Sequence, residues 1–339
     1  MRYVTVSVAI LLLFLPAAAS AQDDRAPAVK AAGQAPQAPR PQQQLVPTRR
    51  RGSMVGYIES ALVDTRVRVR FDGGKGIDVP DRAEFFYAKC GCYRDLHGDP
   101  AFDPDAPGPG PGIVSDMNYQ QLYGMVEFAA GRRVSVFAEL PLRWVKPQEF
   151  VPGTGEFSNT SGLGDINAGV KIALSEADTH AVTLQVKGFF PSGDALKGLG
   201  TDHISVEPAV LYYQQAGERV AVESQFGVWL PIDGSNGVPV DNETKFAGKV
   251  FFYGFGPSVV VYQNDALRLA PVVEFIGWRV LDGFQTPPAE AAGTNIVNLK
   301  IGGRIEGRGG NSFYFGWGKA LTTAKWYDTM LRIEYRASF

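Results

Sequence analysis

From about Thr65 onward, apolar and polar residues alternate with period two in segment after segment. That period marks strands with one apolar and one polar face. TRVRVRFD sets Val67, Val69 and Phe71 against Arg66, Arg68 and Arg70, and RRVSVFAELPLR sets Val134, Val136, Ala138 and Leu140 against Ser135, Phe137 and Glu139. GDINAGVKIAL, AVTLQVKGFF and NIVNLKIGGRIE repeat the pattern, and MLRIEYRASF closes the chain with it. Further candidate strands are 119–129, 203–214, 220–231, 250–262, 267–280 and 312–319. The connections alternate between short (AAGRR, SEADTH, QQAGER, YQNDA, GRGGN) and long (KPQEFVPGTGEFSNTSGL, PSGDALKGLGTD, PIDGSNGVPVDNETKFAG, LDGFQTPPAEAAGT, ALTTAKWYD). A chain weaving up and down, with tight turns at one end and long loops at the other, produces this rhythm, as transmembrane barrels do.

A soluble sandwich also alternates. Three features favour a barrel in a membrane. About twelve strands exceed what an eight-stranded soluble barrel uses. Charges sit deep within the polar faces. Trp144, Trp229, Trp278, Trp317 and Trp326 lie near strand ends, where interfacial girdles are expected. An arginine facing lipid at the midplane costs about 2–4 kcal/mol, so Arg66, Arg68, Arg70, Arg304, Arg332 and Arg336 must point inward. The fold expected is an all-β, transmembrane, antiparallel up-and-down barrel of 12 strands, or 14 if both MVGYIESALV and RAEFFYAKC span.

Composition trims this picture. Residues 1–21 have one early cation, an apolar stretch and Ala19-Ser20-Ala21, the form of a cleaved secretory signal. Residues 22–52 are rich in Pro, Gln and Ala and read as a disordered periplasmic linker. Residues 53–339 are left for the barrel. The formal net charge of −2 argues against nucleic acid as a partner.

The inward faces supply the candidate permeation residues. The acids are Glu127, Glu139, Asp165, Glu207, Glu223, Glu274 and Glu334. The bases are the six arginines with Lys171, Lys187 and Lys300, and Asn167 and Gln185 are the neutral members. Such residues brace strands across a lumen, select solutes, or do both; with the signs balanced, no strong ion selectivity is expected.

Cys90-Gly91-Cys92 reads first as a local disulfide in an oxidising compartment, then as free thiols, then as a thiolate site with His97. Asp194 and Asp202 flank a loop without the spacing of a known calcium site, so no metal and no cofactor is assigned. His203, Ser205 and Glu207 share a strand face, which raises a barrel acyl hydrolase as an alternative; Ile204, Val206 and Val210, however, claim the lipid side.

SVFAELPLR, SGLGDINAGVKIAL, FFPSGDALKGLGTD and EPAVLYYQQ, with the terminal aromatic strand, resemble the outer-membrane barrel family labelled meta-pathway phenol-degradation proteins. The shared pattern is a GLGD segment opening one strand (Gly162–Asp165) and P-[ST]-G-D closing the next (Pro191–Asp194). The resemblance runs from about Tyr119 to Phe339. It implies a Gram-negative outer-membrane channel for small, often hydrophobic or aromatic, molecules. Tyr335 and the terminal Phe339 resemble the C-terminal signal read by the barrel-assembly machinery. The expected function is therefore passive solute passage, with outer-membrane lipid, the assembly machinery and small solutes as partners. A non-conducting structural or adhesive barrel is the other alternative.

Overall fold

The computed structural model describes residues 52–77, 112, 114–201, 203–232, 248–282, 284–285, 289–290 and 292–339. The expected signal peptide, nearly all of the linker, the Cys90/Cys92 pair with His97, and Asp202 lie outside them. Twelve strands build the wall: β1 Arg66–Ile77, β2 Val114–Ala129, β3 Val134–Phe150, β4 Ile166–Glu176, β5 His180–Phe190, β6 Ser205–Ala216, β7 Val220–Pro231, β8 Val250–Val259, β9 Leu267–Val280, β10 Asn295–Gly307, β11 Asn311–Ala320 and β12 Thr329–Ser338. Each pairs antiparallel with the next, and β12 pairs with β1 from Thr329↔Lys75 to Ser338↔Arg66, closing the barrel. Short strands at Thr160–Leu163 and Tyr262–Gln263 extend the sheet at β3 and β9. The wall is the 12-strand version of the expected fold.

The alternation is realised in three dimensions. Val67, Val69, Val136, Leu140, Ile301 and Phe315 are exposed on the outside, while Arg66, Arg68, Arg70, Arg304, Arg332 and Arg336 are buried inside. Turns at 130–133, 177–179, 217–219 and 308–310 mark one end, where β1 starts and Phe339 finishes; loops such as 151–159 and 191–204 mark the other. Three of the five tryptophans depart from expectation, while Trp144 shares the outward face of Leu140 and Leu142. Trp317 faces outward, 44% exposed, but Trp229 and Trp326 are buried and Trp278 packs among interior residues. Strand parity explains two of them: Trp229 shares a face with Glu223 and Gln225, and Trp278 with Glu274 and Ile276, so they line the lumen rather than a girdle.

MVGYIESALV is not a spanning strand. Residues 52–64 form no strand and lie inside the barrel. The segment begins beside Glu306, near the 308–310 turn, bends at residues 56–58 and returns so that Asp64 meets Ser338. Ser53, Met54, Val55, Ile58, Ser60, Ala61 and Leu62 are all buried.

Candidate functional site in the barrel lumen

Most of the inward charges are paired rather than left as open fields. Cross-strand register puts Arg66 opposite Glu127, Lys187 opposite Glu207 and Asp72 opposite Arg332. Arg66 pairs with Glu127, which also takes Ser135 Oγ at 2.6 Å and Lys171 Nζ at 3.2 Å. Arg68 reaches Glu139 at 2.8 Å and Arg70 reaches the other oxygen of Glu139 at 3.4 Å; Asn167 donates to the same carboxylate at 3.2 Å. Glu334 joins Arg304 (2.6 Å) and Arg336 (2.9 Å). Arg332 forks onto Asp72 with two contacts of 2.7 Å, the bidentate geometry that makes such pairs strong. Asp72 lies on the same β1 face as the three arginines and belongs with the site, although sequence reasoning passed over it.

The second feature is the seat for residues 52–64. Glu223 accepts the N–H of Met54 at 2.9 Å. Glu274 accepts those of Gly56, Tyr57 and Ile58 at 3.1, 2.8 and 2.9 Å, and Gln225 that of Glu59 at 2.9 Å. Arg304 donates to the carbonyls of Met54 and Val55, and Arg332 to that of Gly56 at 2.7 Å. Lys171 donates to the Ser60 carbonyl at 3.1 Å. Apolar side chains close the seat: Met54, Val55 and Ile58 pack with Val272, Ile276 and Tyr314, and Ala61 and Leu62 with Leu211, Tyr213 and Phe252. Glu59 bridges Arg68 at 3.1 Å and Lys187 at 3.8 Å. Burial by itself raises the Glu59 carboxyl; Arg68 and then Lys187 outweigh that and hold it well below the ordinary carboxylate range. Several expected permeation residues, Glu223, Glu274, Arg304 and Arg336 among them, therefore grip an internal segment rather than face an unobstructed path.

Above the seat lies a cavity of about 230 Å³ with Tyr57 and Glu59 in its floor. Arg70, Glu139, Asp165, Asn167, Gln185, Lys187, Glu207, Lys300 and Arg332 of the expected set line it. Its aromatic share was missed at the sequence level. Trp278 and Trp326 meet at 4.6 Å between ring centroids, Arg332 lies 4.2 Å over Tyr57, and Lys300 lies between Tyr57 (4.5 Å) and Tyr327 (4.4 Å). These are cation–π distances.

The two glycine-rich motifs form a clasp at the rim. Asp165, at the start of β4, accepts Gly193 N–H at 3.0 Å with one oxygen, and Thr201 N–H at 2.7 Å and Thr201 Oγ1 at 2.8 Å with the other. Ser192 Oγ donates to the Gly164 carbonyl at 3.0 Å and accepts the Ile166 N–H at 2.8 Å. A Cβ at Gly200 would fall 2.5 Å from Asp165 Oδ1, so glycine is required for the close approach. The clasp delivers Leu199 into an apolar cluster with Tyr119, Val145, Trp326 and Tyr327. His203 and Ser205 are buried just beyond it: His203 Nδ1 lies 2.7 Å from the Thr201 carbonyl, its ring meets Trp229 at 5.7 Å, and Ser205 lines the cavity. Both face the lumen, and Ile204 between them is exposed on the outside.

Residues 108–236 match the family model described as "Putative MetA-pathway of phenol degradation". The match includes both halves of the clasp and is shorter than the stretch over which the resemblance was read. No curated protein sequence matches the chain. An outer membrane channel from Pseudomonas putida F1 has the same fold, with a TM-score of 0.52 at 15% identity over 84% of this chain and 99% of that one. The β domain of the Bordetella autotransporter BrkA scores 0.46 at 12% identity, covering 81% of this chain and 100% of its own. The NanC porin scores 0.42 at 8% identity, covering 81% and 98%. The fold is that of outer-membrane barrels.

Proposed function

We propose that this chain is an outer-membrane channel for passive passage of small solutes, and that the lumenal cavity receives compact aromatic or hydrophobic compounds. One observation carries the reading: a closed barrel encloses an aromatic cavity in which Arg70, Lys187 and Arg332 are already paired with Glu139, Glu207 and Asp72. Paired charges add little net field, so a neutral ring is favoured over an ion there. The volume also suits one ring, because a dry cavity of about 150 Å³ holds benzene and this one measures about 230 Å³. On this reading residues 1–21 direct export and are removed, and Tyr335 and Phe339 present the closing strand to the assembly machinery. The exposure of both, 45% and 85%, at the short-turn end suits that role.

The internal segment favours a second reading, a barrel that does not conduct and serves structure or adhesion. Reconstitution separates the two. Flux of phenol-sized neutral aromatics into proteoliposomes should saturate with concentration, and Trp278→Ala should raise the half-saturating concentration. A barrel that shows neither conductance in planar bilayers nor flux above empty liposomes would leave the structural reading standing. Marked anion preference in the reversal potential would contradict the balanced lumen.

A further inference from the structure

The wall holds residues 53–61 chiefly by their backbone. Six consecutive N–H groups, from Met54 to Glu59, donate to only three side chains, Glu223, Glu274 and Gln225. On the carbonyl side, Arg336, Arg304 and Arg332 donate to residues 53–56, and Lys171 and Thr183 to Ser60 and Ala61. Charged groups aimed at peptide N–H and C=O satisfy any chain that presents the same backbone. The wall is also hollowed to fit: Gly254 and Gly256 of β8 stand where the segment packs, and a Cβ on Gly256 would lie 2.9 Å from the Val55 side chain. In turn, a Cβ on Gly56 would lie 2.2 Å from the Tyr314 ring.

The sheet's ladder does not include the segment, because no residue from 52 to 64 belongs to a strand pair. Its withdrawal takes the Met54 and Val55 amides from Glu223, but the other charges that hold the segment keep partners in the wall. Arg304 keeps Glu334, Arg332 keeps Asp72, and Glu274 keeps the Tyr314 hydroxyl at 2.9 Å. Both ends of the segment lie at the short-turn end, so it can leave there without threading.

We propose that the lumen is a peptide-backbone receptor and that residues 52–64 are its exchangeable occupant, replaceable by a separate peptide with glycine at the place of Gly56. Only the conductance readout below rests on the channel reading; binding does not.

The test uses the full chain with Gly56→Phe, whose side chain cannot enter against Tyr314. Heat-modifiable gel mobility reports that the barrel is folded, and Glu274→Gln replaces Gly56→Phe if it is not. In planar bilayers the variant should conduct several-fold more than the parent. Synthetic GSMVGYIESALVD added on the short-turn side should return it to the parent level, while the same peptide with Gly56→Phe should not. Where the parent conducts, a folded variant with the same conductance, or an open one indifferent to the peptide, would overturn the proposal. If neither parent nor variant conducts, the channel reading fails by itself. Anisotropy of fluorescently labelled peptide on the detergent-solubilised variant then decides: saturable binding that is lost with the Gly56→Phe peptide supports the receptor, and no saturable binding refutes it.

Discussion

Asp165→Ala should release the rim loop while leaving the barrel intact. Asp165 is the only side chain that ties the start of β4 to both Gly193 and Thr201 among the hydrogen bonds described. The substitution removes three hydrogen bonds to a carboxylate at a half-buried site. Bonds to charged groups contribute roughly 1.5–3 kcal/mol each when buried, and water recovers part of that at a rim, so a combined loss of about 2–4 kcal/mol is expected. At about 1.4 kcal/mol per tenfold, that corresponds to roughly 30- to 1,000-fold faster local opening. Hydrogen exchange read by mass spectrometry on the 191–204 peptide gives the measurement, with β5 as an internal standard that should not change. Asp165→Asn should fall between, because its amide offers one acceptor oxygen where the carboxylate offers two. Leu199 would leave the apolar cluster it shares with Trp326 and Tyr327, so emission from the buried Trp326 should shift to the red. Equal exchange of the loop in parent and variant, with unchanged emission, would show that the clasp holds nothing. The role assigned to GLGD and PSGD would then be wrong.

Val69→Arg on the outer face should cost about 2–4 kcal/mol in folding into bilayers, measured by denaturant titration, since Val69 is 43% exposed where lipid would lie. The pH response of the internal segment follows from Glu59, whose carboxyl is held low by Arg68 and Lys187. A depressed folded value means the contribution is fully present above the unfolded value of about 4.3 and is lost as pH falls through the lower, folded value. Conductance should therefore stay flat from about pH 8 to about pH 5 and rise only in stronger acid, and Glu59→Gln should remove its share of the acid step. Deleting Phe339 should lower the yield of heat-modifiable barrel in the outer membrane; an unchanged yield would count against its part in assembly.

The wall was legible because its information is local. In a strand, parity alone decides which side chain is inside, and a single arginine facing lipid is costly enough to set the parity. Arg66, Arg68 and Arg70 could be placed without knowing their partners. The cavity's aromatics were harder, because Trp278 and Trp326 meet from a strand and a loop 48 positions apart, and nearness to a strand end suits a girdle as well as a lumen. The clasp was visible as two motifs in order, but not as one structure, since Asp165 and Thr201 meet only after β5 has turned back.

The internal segment was the least legible part, and two signs of it were present. MVGYIESALV breaks alternation at Met54-Val55 and again at Ala61-Leu62, where neighbours of both parities are apolar. A spanning strand has one face toward lipid and one toward water, so adjacent apolar pairs mark a chain enclosed on every side, as the burial of 53–56 and 60–62 bears out. The other sign lies in the wall. Glu223 stands opposite Tyr213 on β6 and Gly256 on β8, with no cation across from it. An inward carboxylate without a cation across from it in register must find donors elsewhere. Here they come from the Met54 and Val55 amides, 169 and 168 residues away. In this barrel an acid unmatched in register beside a glycine therefore marks one point where the internal segment is held, although Glu274, which takes three of its amides, stands opposite Lys300.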